Sequence, residues 1–404
     1  LQSLLLTTPI AMKRSRFARR TKQTPDTEAL IHCATQLSLS GSRLEDAFWE
    51  RRLSGIIDRL LRGQDEAALN AALDHLYGSG GRAYDELADL VEGCAESHHH
   101  PQAGSGAGQD VLLFAAPVLA WSRYAIPSGA INAETLAMLR VQLQAHVFAA
   151  EVRFGLADFL FSPDQLPQSY CETAALREKL AKAALHGRDT RLDPAQMPET
   201  MNFLSDTRYL IGVVCVAAGA PLFRWQEEDG SRNEAHKQWR LQGGEVLRGL
   251  LPACAFEPLL PQSFHAAIRE ADRASRPYSL RSAVAFLQTT LNVPAANLRA
   301  VVAPYYDRQL EEYRVGFTLG ESTEVIHGVV WPLLEHEDEA ADLPGQIESV
   351  LREAGVREVQ VLDHRFPLEY CDDCGAPLYP NPEGEPVHAE LPEQEEEAMP
   401  RHLH

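Results

Sequence analysis

Basic side chains are in short supply in this chain: 37 lysines and arginines stand against 57 aspartates and glutamates, a formal net charge of −20. That balance disfavours broad binding to nucleic acid or anionic membrane, both of which are held by neutralising fixed negative charge. No apolar run approaches the roughly 20 residues a helix needs to span a bilayer. Cysteine is sparse, odd in number and scattered, at 33, 94, 171, 215, 254, 371 and 374. In a large chain without a secretory leader this is no disulfide framework, and the compartment expected is a reducing cytoplasm. Cys215 and Cys254 stand in apolar stretches and read as small core residues. Catalytic signatures are missing too: G-x-x-x-x-G-K-[ST], G-x-S-x-G and H-E-x-x-H do not occur. The sequence therefore speaks to architecture, compartment and one candidate site, and names no reaction.

The opening LQSLLLTTPIA is mildly apolar, but the basic cluster KRSRFARRTK follows it. A secretory signal has the reverse order and a longer apolar stretch. Met12 is the expected initiator, with residues 1–11 not native and 1–23 a flexible basic arm. From 24 to 97 the pattern is helical. Ser42 and Glu45 fit a capping box, and Leu44, Phe48, Leu53, Ile56, Ile57, Leu60 and Leu61 follow at helical spacing as one apolar face. Breaks at 63–65 and 78–81 separate further short helices, making an all-helical N-terminal module. Residues 98–109, rich in Gly and Ser, read as a linker. Its three histidines can bind metal, but a flexible polar linker places them poorly.

Beyond Asp110 the pattern is α/β with a mixed sheet, and phrases recur. FAAPVLAW, AAGAPLFRW and GVVWPLLEH carry Pro117, Pro221 and Pro332, and each precedes a helical stretch, about 133–149, 232–250 and 343–354. Each helix leads to a second strand ending in LPQSYC, LPQSFH or FPLEYC. The body 110–366 is therefore expected to be built from repeated β-α-β units. Residues 301–334 read as successive strands joined by polar turns. A Cys-x-x-Cys segment occupies 367–390, and 391–404 reads as a disordered acidic tail.

The sequence holds a single Cys-x-x-Cys, in YCDDCGAPLYPN, and two thiolates are half a zinc site. After the aromatic residue of each recurring phrase stand Cys171, His265 and Cys371, all possible metal ligands. With Cys374 they make a Cys₃His set, the closed complement of structural zinc, provided the three strand ends share an edge. A local alternative joins Cys371 and Cys374 to His388 or His364. Packing at Pro-aromatic corners explains Cys171 and His265 without any metal. Asp372 and Asp373 put negative charge beside thiolates already costly to deprotonate together. A redox pair normally opens a helix, and Gly375-Ala376-Pro377 argues against one. His336 among Glu335, Glu337 and Asp338 reads more simply as a solvated acidic turn.

Two stretches, SGSRLEDAFWERRL and CDDCGAPLYPNPEGEPVHAE, together resemble an uncharacterised family of bacterial proteins known only as a domain of unknown function. The resemblance runs from about Met12 to about Glu390. It implies a bacterial cytosolic origin and supports Met12 as the start, but it brings no activity, cofactor or site residue. The leading expectation is a soluble binding or regulatory protein that contacts a macromolecular partner or a small ligand. Two alternatives stand beside it: an enzyme with a site at the strand ends near His265 and Cys371, and a scaffold clipped by zinc.

Overall fold

The computed structural model describes residues 24–79, 81–100, 108–201, 203–334, 337 and 340–392. The basic arm, most of the linker, the acidic tail past 392 and His336 lie outside the described residues. The described chain forms two compact units, with residues 24–201 and 206–271 in one and 203–205 and 272–392 in the other. Among the described residues, no helix is long and apolar enough to cross a membrane.

The larger unit starts with helices α1 (Pro25–Ser38), α2 (Arg43–Gly63), α3 (Glu66–Ser79) and α4 (Arg82–Glu96). Ser42 caps α2 by accepting from the Glu45 amide, and Gln64 ends it in the left-handed region. Leu53, Ile57, Leu60 and Leu61 of α2 are buried with α1, α3 and α4 in one apolar cluster. The face expected from Leu44 onward is buried only from Leu53, because Leu44 and Phe48 are exposed.

A sheet follows. Its elements are β1 (Ser97–His100), β2 (Gln109–Trp121), β3 (Gly129–Ala130), α5 (Ala133–His146), β4 (Arg153–Phe161), α6 (Tyr170–Ala184) and β5 (Ser205–Ala217). Then come α7 (Arg232–Gln238), a π turn at Trp239–Gly243, α8 (Gly244–Leu247), β6 (Ala255–Pro258), β7 (Gln262–Ser263) and the 28-residue α9 (Phe264–Leu291). His98 and His99, read from sequence as linker, pair in register with Val111 and Asp110 instead. Strand order is β1-β2-β5-β4-β3, with β6 and β7 also pairing β2.

This order does not confirm the expected build from repeated β-α-β units. The segments β2-α5-β4 and β5-α7-α8-β6 exist, but β5 stands between β2 and β4, and β2 between β5 and β6. Strand β4 runs antiparallel to β5, and β6 antiparallel to β2. That is the split arrangement, in which each helix carries the chain over a neighbouring strand. Pro117 sits where the partner of β2 changes from β7 to β6, a point where a missing amide costs no ladder bond. Pro221 lies beyond the end of β5.

The smaller unit takes the end of α9, then β8 (Leu298–Tyr306), β9 (Leu310–Leu319), β10 (His327–Pro332), α10 (Leu343–Glu353) and β11 (Glu358–Val361). Short strands β12 (Phe366–Pro367), β13 (Tyr379–Pro380) and β14 (Pro386–Val387) finish it. The order is β10-β9-β8-β11, antiparallel except that β11 and β12 run parallel to β8. Its alternating strands bury Ala300, Val302, Val315, Phe317 and Val329 against Leu343, Ile347 and Leu351 of α10.

Candidate metal centre

Cys371 and Cys374 stand in a loop closed by a bridge between Tyr370 and Pro377. Within it the Cys371 amide donates to Ala376 O and the Gly375 amide to Cys371 O, both at 2.8 Å. Gly375 takes φ +71°, a backbone region that a side chain would strain. The turn aims the amides of Cys374 and Asp373 at the sulfur of Cys371, which holds that thiol below its ordinary range. No helix begins here, so the pair lacks the helix N-terminus that activates a redox couple.

The third donor arrives through the hairpin of β13 and β14. Asn381 makes the turn tight: its side-chain oxygen accepts from the amides of Glu383 (3.0 Å) and Glu385 (2.8 Å). The chain then doubles back and brings Nε2 of His388 to 3.2 Å from Sγ of Cys374. One donor atom from each of Cys371, Cys374 and His388 lies within 4.8 Å of the other two. Neighbouring donors of tetrahedral zinc stand roughly 3.5–4 Å apart, so the set fits that ion with little movement. The other ring nitrogen of His388, Nδ1, is buried and lies 3.6 Å from Oε1 of Glu390, the side on which a metal-bound imidazole usually meets a carboxylate.

Buried groups of the smaller unit hold this segment. Arg314 is fully buried, and its Nη1 donates to Glu369 O (2.6 Å) and Leu378 O (2.8 Å), the carbonyls flanking the cysteine loop. Its Nε donates to Glu312 at 2.6 Å, and its guanidinium lies over the rings of Tyr305 and Tyr370. Gly316 of β9 and Gly328 of β10 are direct cross-strand partners. A Cβ on Gly328 would collide with the Tyr379 ring, and one on Gly316 with Pro380 O. The glycine pair is thus a flat seat for β13, and Tyr379 is buried there with Val325 and Val330.

A family model described as a protein of unknown function, DUF2863, matches residues 15–402. The chain belongs to this family. The match takes in both the helical module and the Cys-x-x-Cys hairpin of this DUF2863 member. No curated protein and no solved structure matches it.

The other candidate ligands of the DUF2863 chain have separate surroundings. His364 Nε2 donates to Gly384 O (3.2 Å) and its ring packs on Phe366, outside the three-donor cluster. Cys171 and His265 belong to the larger unit, at the starts of α6 and α9. The two Leu-Pro-Gln-Ser corners do come together there, with the rings of Tyr170 and His265 5.9 Å apart. Cys171 is buried among the module helices, and desolvation with the Glu66 carboxylate pushes its thiol up to about 12. A thiol so raised is a poor ligand. Burial pushes His265 down to about 3, and its Nε2 has no hydrogen-bond partner among the described residues.

The charged groups at those corners were invisible in the sequence pattern. Glu66 of α3 accepts from the amides of Tyr170 (3.3 Å) and Cys171 (2.9 Å), capping α6. Glu96 of α4 accepts from the His265 amide at 2.8 Å, capping α9. Arg177 of α6 returns the gesture: its Nη1 donates to Cys94 O, Ala95 O and Ser97 O at the end of α4. Each charge meets the helix end of opposite partial charge. These three side chains thereby fasten the module to α6 and α9. Elsewhere, a groove of about 480 Å³ in the smaller unit is lined by Arg299 and Glu358, which pair with each other at 3.0 Å.

Proposed function

We propose that this protein is a zinc-clipped binding or regulatory protein, in which Cys371, Cys374 and His388 hold one Zn²⁺ ion. The observation that carries the reading is the convergence of the three donors on a turn whose amides face Cys371, with the ends of the cysteine loop clamped by Arg314. A bound cation offsets the repulsion between two thiolates and the adjacent Asp372 and Asp373, which otherwise opposes their ionisation. The ion cross-links residues 371 and 388 and holds a rigid surface for a macromolecular partner or small ligand. The same reading takes the two Leu-Pro-Gln-Ser-aromatic corners as copies of one duplicated element. The cytoplasm, where thiols stay reduced, suits a Cys₂His site.

Elemental analysis of the purified full-length chain tests it. About one zinc per chain is expected for wild type and a marked loss for Cys374→Ser. Cobalt substitution should give the thiolate-to-metal absorption of a Cys-ligated site. A metal-free, fully folded wild type that also takes up no cobalt overturns the reading.

A further inference from the structure

Cys371, Cys374 and His388 supply three donors, a Cys₂His set, and among the described residues no further histidine, cysteine or carboxylate joins them. Tetrahedral zinc takes four ligands, and three-ligand sets of this kind leave the fourth place to water or to an incoming group. All three donor residues are half-buried, so an ion held between them is reached from solvent. Resting on the zinc reading above, we propose that the fourth place takes an exchangeable neutral nitrogen donor, the imidazole of a partner protein's histidine.

Charge selects that class of ligand. Two thiolates cancel the charge of Zn²⁺, so an anionic fourth ligand would leave the centre negative. Carboxylates already crowd the same segment. Asp372 and Asp373 stand exposed between the two cysteines, and Asp373 opposes negative charge on the Cys371 sulfur. Glu390, also exposed, brings Oε1 to 3.6 Å from Nδ1 of His388. Arg314, the cation that holds the ends of the loop, is paired with Glu312 at 2.6 Å. A thiolate or carboxylate arriving from a partner therefore meets like charge. Neutral imidazole escapes that repulsion and suits a borderline-soft ion. It is also the side chain most often found on metals, through either ring nitrogen. Imidazole displaces a bound water, and no redox change accompanies the exchange.

Cobalt substitution of the full-length chain tests the exchange, because the visible bands of Co²⁺ follow its ligand set. Thiolate-to-cobalt absorption first shows that the metal is in the site. Imidazole should then shift the ligand-field bands until they saturate. Azide, a small anion, should leave them in place at the same concentration and ionic strength. Asp372→Asn combined with Asp373→Asn removes the repulsion and should let azide shift them. His402→Ala combined with His404→Ala, in the tail outside the described residues, should alter neither the bands nor their response to imidazole. Thiolate absorption with bands that ignore imidazole overturns the open fourth place and leaves the zinc reading standing. Failure to gain that absorption at all overturns both. An azide response in wild type equal to that of imidazole overturns the neutral class, as does azide still ignored by the aspartate variant. Bands altered by the histidine variant would make the fourth donor part of this chain and overturn the exchange.

Discussion

The sulfur of Cys374 lies 3.2 Å from Nε2 of His388, fourteen residues along the chain. That approach exists because β13 and β14 fold back on the Asn381 turn, so the donor set depends on the hairpin and the hairpin on its seat. Metal removal should therefore act locally. Treating the full-length protein with a chelator should deprotect residues 370–390 in hydrogen exchange while β8 and β9 stay protected. His388→Ala should lower zinc affinity by at least the roughly 10–100-fold typical of losing an outer-shell partner. Competition with a chromophoric chelator measures this, and Glu390→Gln should fall less far.

Arg314 sets the second expectation. Its guanidinium is fully buried and satisfies Glu312 together with two backbone carbonyls. Arg314→Leu takes the guanidinium away from the Glu312 carboxylate and from both carbonyls. Breaking a buried pair in this way costs about 3–5 kcal/mol, read from denaturant midpoints. Arg314→Lys should recover only part, because a single ammonium cannot reproduce the planar fork. Zinc affinity should fall with stability in both variants.

The glycine seat gives a sharper contrast. Gly328→Ala sets a methyl group against the Tyr379 ring, and overpacking of this kind costs about 1–3 kcal/mol. Gly55 lies exposed within α2 with nothing within 4 Å of the added carbon. There Gly55→Ala should stabilise by roughly 0.5–1 kcal/mol, through helix propensity and backbone entropy. Thermal midpoints compare the two. Equal effects would show that β13 does not rest on β10.

Local signals were the legible ones. The N-cap at Ser42, the helix breaks, the strands of 301–334 and a Cys-x-x-Cys joined by His388 all stand within short windows of sequence. Sheet neighbours do not, because pairing such as β2 with β6 is set by contacts more than a hundred residues apart in the chain. Phrase recurrence pointed to repeated β-α-β units, while antiparallel pairing and crossover put β5 between β2 and β4. The buried charged residues were not legible for a related reason. Arg177, Arg314, Glu66 and Glu96 look like surface residues by composition, and only the fold shows which helix end or carbonyl each one meets.

Arg177 is 6% exposed and holds three carbonyls at the end of α4. Arg177→Met removes the donor from all three and should cost about 3 kcal/mol, given hydrogen bonds to a charged group of about 1.5–3 kcal/mol and a buried helix end left unsatisfied. Glu66→Gln keeps an acceptor for the α6 amides and should cost under about 1 kcal/mol, the loss of a charge at a helix N-terminus. Limited proteolysis should cut the α4–β1 junction faster in Arg177→Met than in Glu66→Gln. The reverse order would mean that the module is held through α6 alone.

His327 governs acid sensitivity in the smaller unit. Its ring is buried beside Phe286 and Phe317, and desolvation pushes it down to about 4. A histidine that is neutral when folded and ordinary when unfolded contributes stability fully present above its unfolded value of 6.5. That stability is lost as pH falls toward about 4, because the unfolded chain binds the proton first. The shift corresponds to a loss of up to about 3 kcal/mol across the window. His327→Leu should remove this component and flatten the acid limb of stability against pH, whatever its effect at neutrality. Urea midpoints taken at intervals between about pH 6.5 and pH 4 read the slope directly. An acid limb as steep in the variant as in wild type would assign the sensitivity to other groups.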